Sequence, residues 1–302
     1  MKTILTIVAA AFIICNLIYM YLIMPRMFKR PDTKAFEGWL YAHRGLHDNH
    51  GDAPENSMAA FRKAVEAGYG IELDIQLTKD QIPVVFHDST LKRVCDEEGN
   101  IKDYTYEQLQ QFRLCRSAEK IPRFTDVLEL VSGRVPLIIE FKGETTDVSL
   151  CPVADEILRG YTGPYCMESF NPLMVAWYRK NRPEVLRGQL SEKLYSKGEK
   201  KTPLYFALEH LLLNFYARPD FIAYHHKHYD NLSRIIATKL YGNISVAYTI
   251  KCQEEYEAAK SLAASIESEF IPLWDMKNYP IGKERFLGAL HMRTEELAAF
   301  VK

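Results

Sequence analysis

Apolar and polar positions follow two regular patterns along the chain. Short apolar runs, typical of strands, lie at residues 39–42, 71–77, 82–86, 135–141, 165–170, 185–190, 221–225, 244–250 and 270–274. Most are separated by helical patterns, at 58–67, 106–112, 124–131, 152–159, 172–180, 202–217, 231–240, 254–264 and 293–301. Apolar strands that alternate with helices indicate a parallel sheet, and eight such units predict a TIM-type (β/α)8 barrel. An open doubly wound sheet is the alternative, although no glycine fingerprint follows the first strand.

The stretch Ile71–Asp88 departs from this alternation, because only residues 78–81 separate its two apolar runs. A parallel crossover needs a dozen or more residues, so the two runs are predicted to form a β-hairpin after the second barrel strand. Glu72 and Asp74 alternate with an apolar residue and therefore point to one face of the strand. The returning strand ends at His87. A strand with one solvated face gives the same pattern, so this hairpin alone does not establish a site.

The first residues form an uncharged apolar segment, Thr3 to Met24. A helix of this length crosses a hydrocarbon core of about 30 Å. A signal peptide would have a shorter apolar region and a small-residue cleavage site after it. We therefore predict a retained single-pass membrane anchor with its basic flank at residues 1–30, and a barrel domain at 36–302. One lysine precedes the segment and four basic residues follow it, so the positive-inside rule favours a cytoplasmic barrel.

Composition narrows the class of protein. Of the 302 residues, 47% are hydrophobic and 25% charged, which is an ordinary globular composition. This length allows one large α/β barrel or two small domains. The net charge of −1 gives no indication of a nucleic-acid partner. The six cysteines contain no C-x-x-C pair, no zinc spacing and no evident disulfide framework.

Charged residues collect where the predicted strands end, which is where a barrel of this kind carries its active site. These residues are His43, Arg44, Glu72, Asp74, His87, Glu140, Lys142 and Glu168. Several carboxylates suit a hard divalent cation, Mg²⁺ or Ca²⁺, better than zinc. An arginine and a lysine beside that cation would neutralise a phosphodiester. Two histidines can divide the general base and general acid roles, so the pattern predicts metal-assisted phosphodiester cleavage.

The order of the motifs resembles the glycerophosphodiester phosphodiesterase family. The matching pieces are His43-Arg44-Gly45, Glu55-Asn56-Ser57, Glu72-Leu73-Asp74, His87-Asp88, Glu140-Phe141-Lys142 and Ser169-Phe170, over about residues 39–275. Each piece alone is a weak signal, whereas the ordered set is a strong one. The resemblance implies a TIM-like barrel that hydrolyses glycerophosphodiesters to glycerol 3-phosphate and an alcohol. In the family the glycerol hydroxyl is thought to attack first, giving a cyclic phosphate that water then opens.

The resemblance also implies roles for individual residues. His43 and His87 would form the acid–base pair, and Glu72, Asp74 and Glu140 would hold the metal. The substrate-binding residues would be Arg44, Lys142, Glu55, Asn56, Phe170 and Tyr248. Arg44 and Lys142 would contact phosphate, while Glu55 and Asn56 would shape the site, although their tripeptide is also an ordinary helix start. Glu168 has no family role, and a solvated strand end explains it equally well.

Two departures leave the substrate open. Family members commonly have a Trp-Thr-Val strand where this chain has Tyr248-Thr249-Ile250, so a tyrosine would form the flat wall of the glycerol pocket. The usual last strand ends in an aspartate-bearing IITD, and here Phe270–Trp274 and Asp275 take its place.

Two further features have no clear family counterpart. The helix at 202–217 is apolar on more than one face over Leu204–Phe215, which predicts burial against the barrel. The alternative is a lid that dips into the membrane and admits lysophospholipids. His225, His226 and His228 are predicted to lie in a polar loop rather than in a metal cluster.

The function therefore has three candidates. The leading one is hydrolysis of glycerophosphodiesters. A lysophospholipase D-like activity on the same barrel is the second. A catalytically silent lipid- or phosphate-binding module is the third, although no histidine or metal carboxylate is missing.

Overall fold

The computed structural model describes residues 1–143, 146–195, 201–265 and 270–274. Its sheet contains nine strands: β1 Tyr41–His43, β2 Gly70–Leu77, β3 Pro83–Val85, β4 Leu137–Phe141, β5 Tyr165–Ser169, β6 Arg187–Ser191, β7 Phe221–His225, β8 Ile244–Ile250 and β9 Phe270–Trp274. Eight of them are parallel, and β1 pairs with both β2 and β9, which closes the barrel. Only β3 runs antiparallel, hydrogen-bonded to β2. The TIM-type barrel with a hairpin after its second strand is thereby confirmed.

The helices lie outside the barrel: α1 Lys2–Ile23, α2 Met58–Glu66, α3 Lys92–Cys95, α4 Tyr106–Leu109, α5 Phe124–Val131, α6 Leu150–Leu158, α7 Pro172–Asn181, α8 Pro203–Glu209, α9 Asn214–Ala217, α10 Leu232–Lys239 and α11 Gln253–Ser265. Short 3-10 turns occupy Lys34–Phe36, Ile101–Asp103, Leu114–Arg116 and His226–His228. Several helices begin at the cap residue that the sequence indicates. Ser57, for example, accepts a hydrogen bond from the Ala60 amide at the start of α2. The helix predicted at 293–301 lies outside the described residues.

One predicted helix, 202–217, is wrong as a continuous element. The chain turns between α8 and α9, where Leu211 has a φ of 56°. The Glu209 carbonyl, which would accept the next helical hydrogen bond, instead accepts from the Tyr224 hydroxyl and the Asn231 amide, each at 3.2 Å. These tertiary bonds end α8 and replace the helical ladder at this point.

The barrel interior is apolar at one end and acidic at the other. At the amino ends of the strands it is apolar, with Tyr41, Ile138 and Phe221 buried together and Phe36 packed against them. Further along the same inward positions, β4 continues from Ile138 to Glu140, which lies beside carboxylates of the neighbouring strands. The outward positions are apolar and pack on the helices, as in a fully buried parallel sheet. The interior therefore places its acidic groups at the carboxyl-end opening of the barrel.

Helix α1 contacts the barrel only through its last two turns. Most of its side chains are exposed, whereas Ile23 is buried. Its 22 residues, with a mean hydropathy of 2.3 in the most apolar window, are long and apolar enough to cross a membrane. After it, Arg26 donates to the Pro183 carbonyl at 2.8 Å, just before β6, so the connecting segment passes the amino end of the barrel.

Candidate active site

Three carboxylates meet inside the carboxyl-end opening. Glu72 and Asp74 lie on β2 and Glu140 on β4, and one oxygen of each lies within 4.8 Å of the others. Their exposed fractions are 1%, 0% and 8%. The register explains their meeting, because Asp74 is paired directly with Glu140 across the parallel strands. Carboxylates at positions that alternate with outward apolar residues are thus brought into one buried group.

Burial and neighbouring charges shift the pKa values of all three carboxyls. Burial raises the pKa of Glu72 well above its usual value, and the negative charges of Asp74 and Glu140 raise it further. Burial likewise raises the pKa of Glu140, against the opposing effect of Lys142. Burial also acts to raise the pKa of Asp74, but Lys142, His87 and Arg44 together hold it well below the usual value.

Two basic side chains lie against this group. The Lys142 ammonium is 2.9 Å from the Asp74 carboxylate and 2.7 Å from that of Glu140. The Arg44 guanidinium is 3.5 Å from Asp74, and the Arg44 backbone amide donates to Glu72 at 3.0 Å. Arg44 adopts a φ of 57°, which turns the chain sharply after β1. Both cations therefore lie directly against the buried carboxylates.

Glu55 and Asn56 connect this group to the surrounding loops. The Asn56 side-chain amide donates to Asp74 at 2.8 Å, and its backbone amide donates to the Arg44 carbonyl at 3.0 Å. Glu55 accepts from Arg44 at 2.7 Å and from both terminal nitrogens of Arg93, at 2.7 and 2.8 Å. The tripeptide is therefore both a helix start, through Ser57, and a support of the site.

The two histidines occupy different surroundings. His43 Nε2 lies 3.9 Å from Glu72, and burial followed by the charge of Arg44 lowers the pKa of His43 well below its usual value. This ring is consequently neutral near pH 7. The His87 ring is bonded through Nδ1 to Asp88 at 2.5 Å, and Asp88 in turn accepts from Arg93 at 2.6 Å. Asp88 thereby accepts a hydrogen bond from Nδ1–H, which fixes the tautomer and the orientation of the ring.

Sequence reasoning missed Arg93 and misjudged Glu168. Arg93 lies on the short helix α3 and joins Glu55 to Asp88, the two carboxylates that support Arg44 and His87. No motif marks this arginine. Glu168 is not a solvated strand end: it is 1% exposed, and its Oε2 has no hydrogen-bond partner in the described part of the chain. Burial, and then the charge of Glu140, raise the pKa of Glu168 well above its usual value.

An aromatic wall stands on another side of the opening. The Phe170 and Tyr248 rings meet edge to face, with centroids 6.2 Å apart, and the Tyr248 hydroxyl donates to the Ser191 carbonyl at 2.8 Å. The His225 ring packs against Tyr248 with centroids 5.6 Å apart. His226 and His228 bound the short 3-10 turn that follows β7, as expected for a loop.

The carboxylate group fits a divalent cation. All three possible ligands are hard oxygen donors, which is the set that Mg²⁺ and Ca²⁺ prefer. Burial raises the pKa values of both Glu72 and Glu140, and the negative charge of Asp74 raises both further, which an additional positive charge would oppose. A cation among the three would supply that charge.

Known proteins share both sequence and fold with this chain. Residues 43–258 match the glycerophosphoryl diester phosphodiesterase family. A glycerophosphodiester phosphodiesterase of Bacillus altitudinis is 43% identical over 110 residues, 34% of this chain and 44% of that protein. One of Caldanaerobacter subterraneus is 37% identical over 163 residues, 49% of this chain and 65% of that protein. The matched stretch thus spans less than two thirds of each of these relatives.

Solved structures extend the likeness to most of the barrel. A phosphodiesterase of Oleispira antarctica, in complex with the product sn-glycerol-3-phosphate, has a TM-score of 0.65 at 23% identity and covers 86% of this chain and 99% of its own. The glycerophosphodiester phosphodiesterase of Thermotoga maritima has a TM-score of 0.59 at 22% identity, over 83% and 97%. These two establish a common fold. Because the family match covers well over half of the sequence, the chain belongs to the glycerophosphoryl diester phosphodiesterase family.

Proposed function

We propose that this protein hydrolyses glycerophosphodiesters to glycerol 3-phosphate and an alcohol with the help of a divalent cation. The observation that carries the proposal is the buried group of Glu72, Asp74 and Glu140 with Arg44 and Lys142 against it. Three oxygen ligands beside two fixed positive charges suit a phosphodiester and the additional charge of its transition state. Family membership and the names of the relatives support the same reaction.

Glu72, Asp74 and Glu140 would hold the cation, which supplies charge neutralisation at the phosphoryl oxygens when bound. His43 is neutral near pH 7 and is suited to accept the proton of an attacking hydroxyl. His87 is held by Asp88 and is suited to deliver a proton to the leaving alcohol. Each proton transfer would contribute a factor of about 10²–10⁴ in rate.

The substrate-binding residues would divide between charge and shape. Arg44 and Lys142 would contact phosphate, since both already lie against the carboxylate group. Glu55 and Asn56 would hold Arg44 and Asp74 in place. Phe170 and Tyr248 would form an aromatic wall that faces the glycerol. The Tyr248 hydroxyl would give this wall a polar edge.

A lysophospholipid is the second candidate substrate, and one observation favours it. On α8, which follows β6, Leu204 and Phe206 are 57% and 45% exposed. The predicted burial of this segment is therefore wrong for these two side chains. Exposed apolar groups on a helix that follows the carboxyl end of a barrel strand could contact an acyl chain.

Helix α1 would act as a single-pass anchor within residues 1–30, with the barrel of residues 36–302 on the cytoplasmic side. Its length and apolar surface support a membrane span. The basic residues Arg26, Lys29 and Arg30, which follow the helix, support the orientation.

The test is release of glycerol 3-phosphate from glycerophosphocholine, beside release of lysophosphatidic acid from lysophosphatidylcholine, with Mg²⁺, Ca²⁺ or a chelator. His43→Ala and Glu72→Ala are compared with the matched variants His50→Ala and Glu66→Ala, which alter exposed side chains outside the site. We expect glycerol 3-phosphate from the first substrate, loss of at least about 10²-fold in the two site variants, and no loss in the controls. Cleavage of the lysolipid alone would replace the leading substrate by the second. Unchanged turnover in chelator would refute the metal, and no turnover in any metal would leave a binding module.

A further inference from the structure

Helix α10 buries a largely polar side and exposes a mainly apolar one. Its buried side chains are Ser233, Arg234, Ala237 and Thr238, and its outward positions are Leu232, Ile235, Ile236, Lys239 and Leu240, the last being its C-cap. Leu232 and Leu240 are 62% and 63% exposed, and the two isoleucines are half-buried. A helix on the surface of a soluble barrel has the opposite polarity, with its apolar stripe toward the core.

The inward polar residues are satisfied, so the orientation of α10 is well determined. The Arg234 guanidinium donates to the Tyr229 carbonyl at 2.8 Å and to the Ser245 hydroxyl at 3.0 Å, and it lies 3.8 Å from the Tyr229 ring centre. Thr238 donates to the Arg234 carbonyl at 2.8 Å. Rotating α10 to bury its leucines would break the bonds of Arg234 to Tyr229 and Ser245.

Helix α2, on another side of the barrel, shows the ordinary polarity. Its buried side chains are Ala60, Phe61, Ala64 and Val65, whereas Arg62, Lys63 and Glu66 are exposed. The inversion is therefore a property of α10 and not of the whole outer layer.

Helix α1 leaves the barrel beside this apolar face. The Tyr19 and Ser233 hydroxyls are 2.8 Å apart, which ties α1 to the start of α10. The Tyr241 hydroxyl donates to the Met20 carbonyl at 3.0 Å, which ties α1 to the segment just after α10. The outer face of α10 therefore adjoins a helix whose exposed residues are suited to hydrocarbon.

The border of this region has the composition of a membrane interface. Tyrosines 19, 21, 216 and 241 lie at the junction of α1 with the barrel or next to it, and Arg218 stacks on Tyr21 at 5.2 Å. Lys29, which follows α1 in the chain, and Lys239, at the end of α10, are exposed. Tyrosines and basic residues concentrate where protein passes from lipid acyl chains to headgroups and water.

We propose that the outer face of α10, formed by Leu232, Ile235, Ile236 and Leu240, lies in the membrane interface beside α1 and fixes the barrel against the bilayer. The proposal rests on α1 being the anchor, as proposed above. The occupant of the face is lipid, because the face is continuous with an apolar helix of membrane-spanning length and is bordered by tyrosines and basic residues. The anchor would then hold the barrel in one orientation rather than serve as a flexible tether.

The test uses the full chain in nanodiscs of phosphatidylcholine and phosphatidylglycerol. Nitroxide labels are attached singly, to the native Cys15 in α1, to Leu232→Cys, to Leu240→Cys, or to Arg62→Cys on α2, with the remaining cysteines changed to serine. Collision with oxygen, which partitions into lipid, is compared with collision with a nickel chelate, which stays in water. Hydrolysis of glycerophosphocholine by each labelled protein checks that the barrel is folded.

We expect the oxygen-to-nickel ratio at positions 232 and 240 to shift toward that at Cys15, and the ratio at position 62 to remain that of a water-exposed site. A lipid-like ratio at Cys15 with water-like ratios at 232 and 240 would overturn the proposal and leave the anchor intact. A water-like ratio at Cys15 would refute the anchor itself. Protection of 232 and 240 from both reagents would overturn the proposal in favour of contact with a second copy of the chain.

Discussion

Replacing Lys142 by methionine tests whether this lysine is what keeps the carboxylate group charged. The ammonium lies 2.9 Å from Asp74 and 2.7 Å from Glu140, and the Asp74 side chain is 1% exposed. Methionine retains most of the length of the side chain and removes only the charge. The variant therefore leaves two neighbouring buried carboxylates without their nearest cation.

The expected loss of stability follows from the burial of the pair. Removing one partner of a buried ion pair costs about 3–5 kcal/mol, because the other charge is left unpaired. In the wild type, the low pKa of Asp74 contributes stability that is present above the unfolded-state pKa and lost as pH falls through the folded-state pKa. Without Lys142, the pKa of Glu140, which burial already raises, would rise further, so the folded variant would hold a proton that the unfolded chain releases. Its stability would then fall with rising pH, by up to about 1.4 kcal/mol per pH unit.

The assay is urea unfolding of the full chain in detergent micelles, followed by tryptophan fluorescence in the presence of a chelator. We expect Lys142→Met to lose about 3–5 kcal/mol at about pH 8 and clearly less at about pH 5, because Glu140, with its raised pKa, takes up a proton in the folded variant as pH falls. Lys180→Met, which alters an exposed lysine on α7, is the matched control and should change little at either pH. An equal loss at both pH values would refute the reasoning, since it would show that the charge of Lys142 does not set the ionisation of Glu140.

Three further variants test other parts of the structure. Glu168→Gln should raise the urea midpoint of the metal-free protein at about pH 8 but not at about pH 4. The raised pKa of Glu168 destabilises the folded state as pH rises above the pKa that this carboxyl has in the unfolded chain. Equal midpoints of variant and wild type at about pH 8 would contradict this. Arg93→Lys keeps the positive charge but loses the paired hydrogen bonds to Glu55. We expect kcat to fall by about tenfold and the unfolding free energy to drop by about 1–2 kcal/mol. An unchanged kcat would count against a positioning role. Gly188→Ala should cost about 1–3 kcal/mol by thermal unfolding, because its Cβ would lie 2.1 Å from the Phe221 ring, and an unchanged midpoint would show that this ring can move aside.

The barrel was predictable because its signals are local and repeated. Most of the parallel strands are apolar runs, and the hairpin follows from the short connection of five residues that separates β2 from β3. The continuous helix at 202–217 failed for a reason that the local pattern does not contain. The bonds from Tyr224 and Asn231 to the Glu209 carbonyl come from distant parts of the chain and end α8 early.

The residues of the candidate site were predictable where they sit at strand ends or in a family motif, and they were missed where neither marks them. Glu72, Asp74 and Glu140 occupy alternating positions on neighbouring strands, so topology alone brings them together. Arg93 is 38 residues from Glu55 and lies on a four-residue helix, so no local sequence pattern predicts its contact with the site. Glu168 was visible at a strand end, but its burial depends on the closure of the barrel around it.

Acidic side chains outnumber basic ones around the opening of the barrel. Six carboxylates, those of Glu55, Glu72, Asp74, Asp88, Glu140 and Glu168, surround the opening with three basic side chains, Arg44, Arg93 and Lys142, in contact with them. Glu55 is paired with Arg44 and Arg93, and Asp88 with Arg93, so the negative charge that remains belongs to the buried group. An anionic phosphodiester brought to the same place adds to that charge. The proposed substrate and the proposed divalent cation should therefore favour each other's binding, and by thermodynamic reciprocity each would strengthen the affinity for the other.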